Sequence, residues 1–97
     1  MDPHTDPLFE NIFHIHDEPS LKDNQLFEKL SHEINDLLRN NFERLVYILY
    51  RIDVNQKKTD SIFNNPFKDE IAEQLANAVI ERQLQKIETR NKFRSKN

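Results

Sequence analysis

The chain contains no glycine, and this absence excludes more structures than any other feature of the sequence. Phosphate-binding loops, dinucleotide-binding fingerprints and nucleophile elbows need glycine where the backbone approaches a ligand or adopts a positive φ angle. Tight Asn-Gly and Asp-Gly hairpins are also missing, which argues against antiparallel sheets. The sequence therefore favours an all-α fold and lacks the standard glycine-dependent catalytic motifs.

Apolar residues recur at helical spacing in four segments of the 97 residues, which predicts a small bundle of about four helices. The first helix is expected at residues 21–39, with Ser20 as its N-cap and with Asn40 and Asn41 ending it in the left-handed conformation. The second helix covers residues 42–52. Its wide apolar arc predicts a central helix that is covered on more than one side.

Two further helices are separated by a proline. The third is expected at residues 54–63, with Asp53 in a start that resembles a capping box, and Pro66 suits the first position of the fourth. The fourth helix extends to about residue 90 or 93, which makes it roughly 36–42 Å long at 1.5 Å per residue. Because a compact chain of this size is only about 30 Å across, we expect the C-terminal end of this helix to project.

The two ends of the chain differ in charge, although the net charge is only −3. Residues 1–19 contain five acidic residues, three of the four prolines and no lysine or arginine, and we interpret them as an acidic N-terminal arm. Residues 20–93 form the predicted helical domain, and residues 94–97 a basic tail. Two solvated ends would explain the asymmetry without any function.

Several classes of protein and site are not expected. Without cysteine there is no disulfide, zinc knuckle or thiol nucleophile. The longest apolar run, from Leu45 to Tyr50, is too short to span a bilayer, and the first residues do not resemble a signal peptide. His14 and His16 could chelate a metal from an extended arm, and His4 and Asp2 could complete the ligand set, but the arm must become ordered to bind and no residue that would orient the ligands can be identified. We predict a cytoplasmic protein with no catalytic residue, no metal, no cofactor and no membrane contact.

Two segments carry a resemblance to known proteins. They are LVYILYRIDV, from Leu45 to Val54, and ERQLQKI, from Glu81 to Ile87. In this order they resemble a family of short bacterial proteins of unknown function that share an LVxLLYRIDV helix end and a later ERQLQKI helix. The resemblance covers roughly residues 26–93 and implies a helical fold without any assigned chemistry.

The apolar residues of the fourth helix lie in two stripes that face directions roughly 150° apart. Ile71, Leu75 and Val79 belong to the first stripe, which is expected to pack on the first two helices. The second stripe is expected to remain uncovered and to form a twofold dimer interface. Its members are Ala76, Ile80, Leu84 and Ile87.

The N-terminal arm has enough apolar surface to dock on a folded domain. Phe9, Ile12 and Phe13 are expected to be buried, either against a neighbouring chain or against the arm's own domain. One alternative to the dimer follows from this. If the arm from Phe9 to Ile15 folds back, it covers the second stripe of the fourth helix within one chain.

Two sets of residues are candidates for binding an anion. Arg44, Tyr47 and Arg51 form a polar edge on the second helix, where a small anion or a partner's carboxylate could bind. The other set consists of basic residues near the C-terminus: Arg82, Lys86 and Arg90. Residues 1–80 carry eight basic and fifteen acidic residues, so the body of the protein repels a phosphate backbone.

The sequence as a whole therefore favours a protein–protein interaction or structural module, either a homodimer or bound to a protein partner. Binding of an anionic polymer such as nucleic acid through residues 82–96 is the alternative function, and it is not the expected one.

Overall fold

The computed structural model describes the backbone of residues 9, 11, 12, 14, 15 and 17–95, and side chains as far as residue 92. In this part of the chain, five helices have both of their ends described, and there is no strand. This confirms the all-α prediction and the predicted long C-terminal helix. The helices are α1 (Glu18–Leu21), α2 (Asn24–Asn40), α3 (Phe42–Ile52), α4 (Gln56–Phe63) and α5 (Lys68–Ser95).

The other helices all pack on α5. The most extensive contact is between α2 and α5, and α1, α3 and α4 also contact α5. Leu30 and Ile34 of α2 and Leu75 and Val79 of α5 are fully buried in one continuous apolar cluster. Beyond Ile87, every described side chain of α5 is exposed. The last turns of α5 therefore project from the core, as its length predicts.

The start of the first long helix differs from the prediction. Instead of one helix capped by Ser20, the chain forms the short α1 and then begins α2 at Asn24. The Asp17 side chain accepts a hydrogen bond from the Ser20 amide at 3.0 Å, so Ser20 lies inside α1. The Asp23 side chain caps α2 by accepting from the Gln25 amide at 2.9 Å. Since α1 spans residues 18–21, the expected boundary between arm and domain falls inside a helix.

The only positive φ angle in the described part of the chain is at Asp53. Asn41 was expected to be left-handed, but its φ is −157°, and its side chain instead caps the start of α3 by accepting from the Arg44 amide. Asp53, expected to begin the next helix, ends α3 with φ 68° and ψ 41°. In a chain without glycine, aspartate is one of the few residues that tolerate this conformation.

The last two helices begin two residues later than predicted. Asn55, and not Asp53, caps α4, and its side chain accepts from the Lys57 and Lys58 amides. Pro66 lies in a bend before α5 and not in its first turn. There the Asn65 side chain accepts from the Phe67 amide at 2.9 Å. At its other end, α5 continues to Ser95, across the expected boundary between domain and tail.

Candidate interaction surfaces

The second stripe of α5 is covered within the chain. Ala76, Ile80 and Ile87 are buried, and Leu84 packs against the core as a partly buried residue. The sequence predicted that these residues would be left uncovered, and this prediction is wrong: they lie in the apolar cluster of the chain itself, where α1 also packs on α5 and supplies part of the cover. The residues proposed as a dimer interface therefore belong to the protein's own core.

The N-terminal arm is part of that cover. Phe9 and Ile12 have helical backbone and are buried in the same apolar cluster, which confirms their predicted docking, while Phe13 lies outside the described residues. The Gln83 amide group of α5 donates a hydrogen bond of 3.1 Å to the Ile12 carbonyl. Gln83 is itself buried, and no described residue forms a hydrogen bond with its Oε1 atom. The structure thus supports the intrachain alternative for the arm.

The exposed apolar residues are concentrated on α3. Leu45, Ile48, Leu49 and Ile52 face the core, but Phe42 is 49%, Val46 44% and Tyr50 84% exposed. The prediction that this helix is covered on more than one side is therefore wrong. Its second apolar face has no neighbour among the described residues that buries it. We call this surface, made of Phe42, Val46 and Tyr50, the α3 face.

An apolar groove of about 500 Å³ lies between the α3 face and α4. The Phe42 ring meets the Phe63 ring edge to face, with ring centroids 5.4 Å apart. Val54 and Leu49 also line the groove, and Asp60 is the only charged residue among the described residues that line it. The three exposed residues of the α3 face therefore form one wall of this apolar groove.

The predicted polar edge of α3 lies next to this face. Tyr47 and Arg51 are exposed and Arg44 is half-buried. Glu43 is exposed as well, and it shares a row of the helix with Tyr47 and Arg51 because the three residues are spaced four apart. The α3 face is therefore bordered along one side by an acidic residue near the start of the helix and a basic residue near its end.

A second, polar surface forms where α3, α4 and α5 meet. Arg82 of α5 binds the end of α3 through two hydrogen bonds, from Nε to the Asp53 carbonyl at 3.1 Å and from Nη2 to the Asp53 carboxylate at 3.2 Å. Lys86 donates to the Ile52 carbonyl at 3.1 Å. Both cations thus stabilise the C-terminal end of α3, where the helix dipole is negative.

An open cavity of about 640 Å³ lies beside these contacts. We call it the basic cavity; its lining residues are Asp53, Asn55, Lys57, Lys58, Arg82 and Gln85. Lys58 forms an ion pair with Glu81 of α5. Burial lowers the pKa of the nearby Lys86, and the positive charge of Arg82 lowers it further, while Asp53 opposes the shift.

Sequence reasoning identified Arg82 and Lys86 but missed the two lysines of α4 that share the cavity. Arg90, the third basic residue of that set, is exposed on the projecting end of α5 and does not line the cavity. The signal for the missed residues was the first turn of α4, which contains Lys57 and Lys58 and no acidic residue.

No group of three metal-binding side chains occurs among the described residues, and His16 lies outside them. Within the same range, no helix has the length and apolar character needed to cross a bilayer.

Comparisons of the chain with protein-family models, with curated proteins and with solved structures find no match. The resemblance carried by the segments from Leu45 to Val54 and from Glu81 to Ile87 therefore stays a prediction. Both segments lie at the sites described above, since the first forms most of α3 and the second contains Arg82, Gln83 and Lys86.

Proposed function

We propose that this protein is a non-enzymatic, cytoplasmic interaction module that forms a twofold homodimer through the α3 face. The observation that supports the proposal is the exposure of Phe42, Val46 and Tyr50 beside an apolar groove. Contiguous apolar surface on a small domain is typical of a protein interface. The proposal keeps the dimer predicted from the sequence but moves its interface from α5 to α3.

The charges beside the α3 face favour a second copy of the chain as its partner. Glu43 and Arg51 lie eight residues apart in one helical row, with Tyr47 midway between them. In an antiparallel pair of α3 helices whose twofold axis passes near Tyr47, Glu43 of each protomer lies beside Arg51 of the other. A closed twofold interface requires such self-complementarity.

The apolar residues fit the same arrangement. Val46 lies midway between Phe42 and Tyr50, so an antiparallel pair places each Phe42 opposite a Tyr50 ring. Aromatic rings in contact gain about 0.5–1.5 kcal/mol beyond the area they bury. Rows spaced four residues apart on both helices also form the commonest class of helix packing in globular proteins.

The expected dimer is of moderate affinity. An 11-residue helix is about 16 Å long, so an interface built on α3 and the groove lies at the lower end of specific interface sizes. We therefore expect dissociation constants in the micromolar range, which corresponds to roughly −8 kcal/mol.

The proposal can be tested by exchanging the charges of Glu43 and Arg51. Dimer formation is then measured by sedimentation equilibrium at protein concentrations from about 1 µM to about 1 mM. Glu43→Arg alone brings like charges together in the dimer and should weaken association at least about tenfold. Arg51→Glu alone should do the same. The double variant Glu43→Arg with Arg51→Glu restores two opposite-charge pairs and should recover the dimer. Circular dichroism verifies that each variant is folded.

Phe67→Ser is the matched control, because Phe67 is 67% exposed but does not line the groove. Its association should equal that of the unmodified chain. A protein that stays monomeric over the whole concentration range would contradict the proposal. So would a double variant that is folded but does not recover association, since the α3 face would then bind something other than its own copy.

A further inference from the structure

The basic cavity has more positive than negative charge. Three basic side chains line it, Lys57, Lys58 and Arg82, and the positive charge of Lys86 lies close to that of Arg82. Two acidic side chains pair with these cations, Asp53 with Arg82 and Glu81 with Lys58. Four positive and two negative groups leave a surplus of two positive charges.

Donor groups remain available for a ligand. The guanidinium group of Arg82 has five N–H groups, and its three hydrogen bonds, to Asp53 and Gln85, leave at least one N–H uncommitted. Lys57 lines the cavity, and its ammonium group has no ion pair within the described part of the chain. These donors lie on two helices, α4 and α5, that face each other across the cavity.

The charges at the start of α4 oppose the helix dipole. A helix N-terminus carries a partial positive charge, so acidic residues are favoured in its first turn and basic residues are not. The chain follows this rule in α5, which has Asp69 and Glu70 in its first turn. In α4 the first turn instead has Lys57 and Lys58. A local arrangement that costs stability is expected where a site serves binding.

We propose that the basic cavity binds phosphate groups that together carry two or more negative charges, held by Lys57, Lys58 and Arg82. Such a ligand neutralises the surplus charge. The forked guanidinium group and the two ammonium groups are typical phosphate ligands in proteins. The same chemistry is presented by a free diphosphate and by the phosphates of a nucleic acid. The site is independent of the α3 face and of dimer formation.

Nuclear magnetic resonance titrations in low-salt chloride buffer test the site, with inorganic pyrophosphate and a short single-stranded oligonucleotide as separate probes. Binding should shift the amide signals of residues 53–58 and the Nε signal of Arg82, and should weaken as salt is added. Binding of pyrophosphate would show that a small phosphate compound is sufficient to occupy the basic cavity. Oligonucleotide binding alone, at the same signals, identifies a polymer as the source of the phosphates.

Lys57→Glu separates binding from stability. The substitution places a carboxylate at the positive end of α4, so it should raise the melting temperature slightly. It should also weaken phosphate binding at least about tenfold, because a charge-assisted hydrogen bond is replaced by repulsion. If Lys57 had a purely structural role, its substitution would not raise the melting temperature and weaken phosphate binding at the same time.

Lys68→Glu is the matched control. Lys68 begins α5 and is exposed, so the same charge change occurs in the first turn of another helix, away from the cavity. Its phosphate binding should be within about twofold of that of the unmodified chain. The proposal is overturned if neither probe shifts the signals of residues 53–58, if Lys57→Glu binds as well as the control, or if the shifts map only to residues 88–92.

Discussion

The helices α3 and α5 both carry apolar residues on two faces, but only α5 has both faces covered. Val79 of its first stripe and Ala76 of its second are fully buried. On α3, Leu45 is fully buried while Tyr50, on the other face, is 84% exposed. The sequence predicted the opposite outcome for each helix, with α3 covered and the second stripe of α5 uncovered.

The difference shows what a helical pattern leaves undetermined. An apolar stripe indicates that one face of a helix is buried away from water, but it does not indicate whether the same chain or another chain covers that face. On α5 the cover comes from distant residues, since Ile12 and Gln83 are in direct contact. On α3 the neighbouring α4 leaves a groove instead of closing over the face. We infer that α3, and not α5, has the surface that a second chain covers.

The largest expected effect on stability is the difference between truncating a side chain on the buried face of α5 and truncating one on the exposed face of α3. Leu75→Ala removes a fully buried side chain of α5 and should reduce the free energy of unfolding by about 2–5 kcal/mol. Tyr50→Ser removes a larger side chain but should change the stability of the dilute monomer by less than about 0.5 kcal/mol. Urea unfolding at low protein concentration measures both. A Tyr50→Ser loss as large as that of Leu75→Ala would show that α3 has no free face.

Whether the N-terminal arm stabilises α5 can be tested by truncating one buried side chain of the arm. Ile12→Ala should reduce the free energy of unfolding by about 2 kcal/mol, because Ile12 is only 1% exposed. For a domain of this size that lowers the melting temperature by roughly 8–16 °C. Asn11→Ala is the control, since Asn11 is exposed. Equal melting temperatures for the two variants would mean that the arm does not stabilise α5.

The smallest expected effect concerns the turn that connects α3 to α4. Asp53→Val forces a β-branched residue into a left-handed conformation and should cost about 1–2 kcal/mol of unfolding free energy. Asp53→Gly removes the same carboxylate contact with Arg82 but suits the conformation, so its loss should be smaller. Thermal unfolding of the pair measures the difference, and equal losses would assign the effect to the lost ion pair alone.

Much of the fold could be predicted from the sequence. Periodicity located α3 and, within about three residues, the starts of the other long helices, because each has an apolar face that must be buried. The starts were less predictable because several Asx residues compete to cap each helix. Ser20 is a good N-cap by type, yet Asp17 caps α1, which contains Ser20, and Asp23 caps the following α2.

The candidate surfaces were predictable only in part. Arg82 and Lys86 were identified from the basic C-terminal segment, but their contacts with the end of α3 depend on how α3 crosses α5. Lys57 was missed because its importance lies in a cavity shared by three helices. The wide apolar arc of α3 was recognised in the sequence and assigned to the wrong environment.

A single cysteine on the α3 face tests the central claim most directly, because the chain has no cysteine of its own. Val46 lies near the proposed twofold axis, where the Cα atoms of the two copies should come within the roughly 4.4–6.8 Å range that a disulfide spans. Mild oxidation of Val46→Cys should therefore convert most of the protein into a disulfide-linked dimer, while Phe67→Cys, exposed but outside the groove, should remain largely monomeric. Equal and slow cross-linking of the two variants would contradict an α3 interface between copies of this chain.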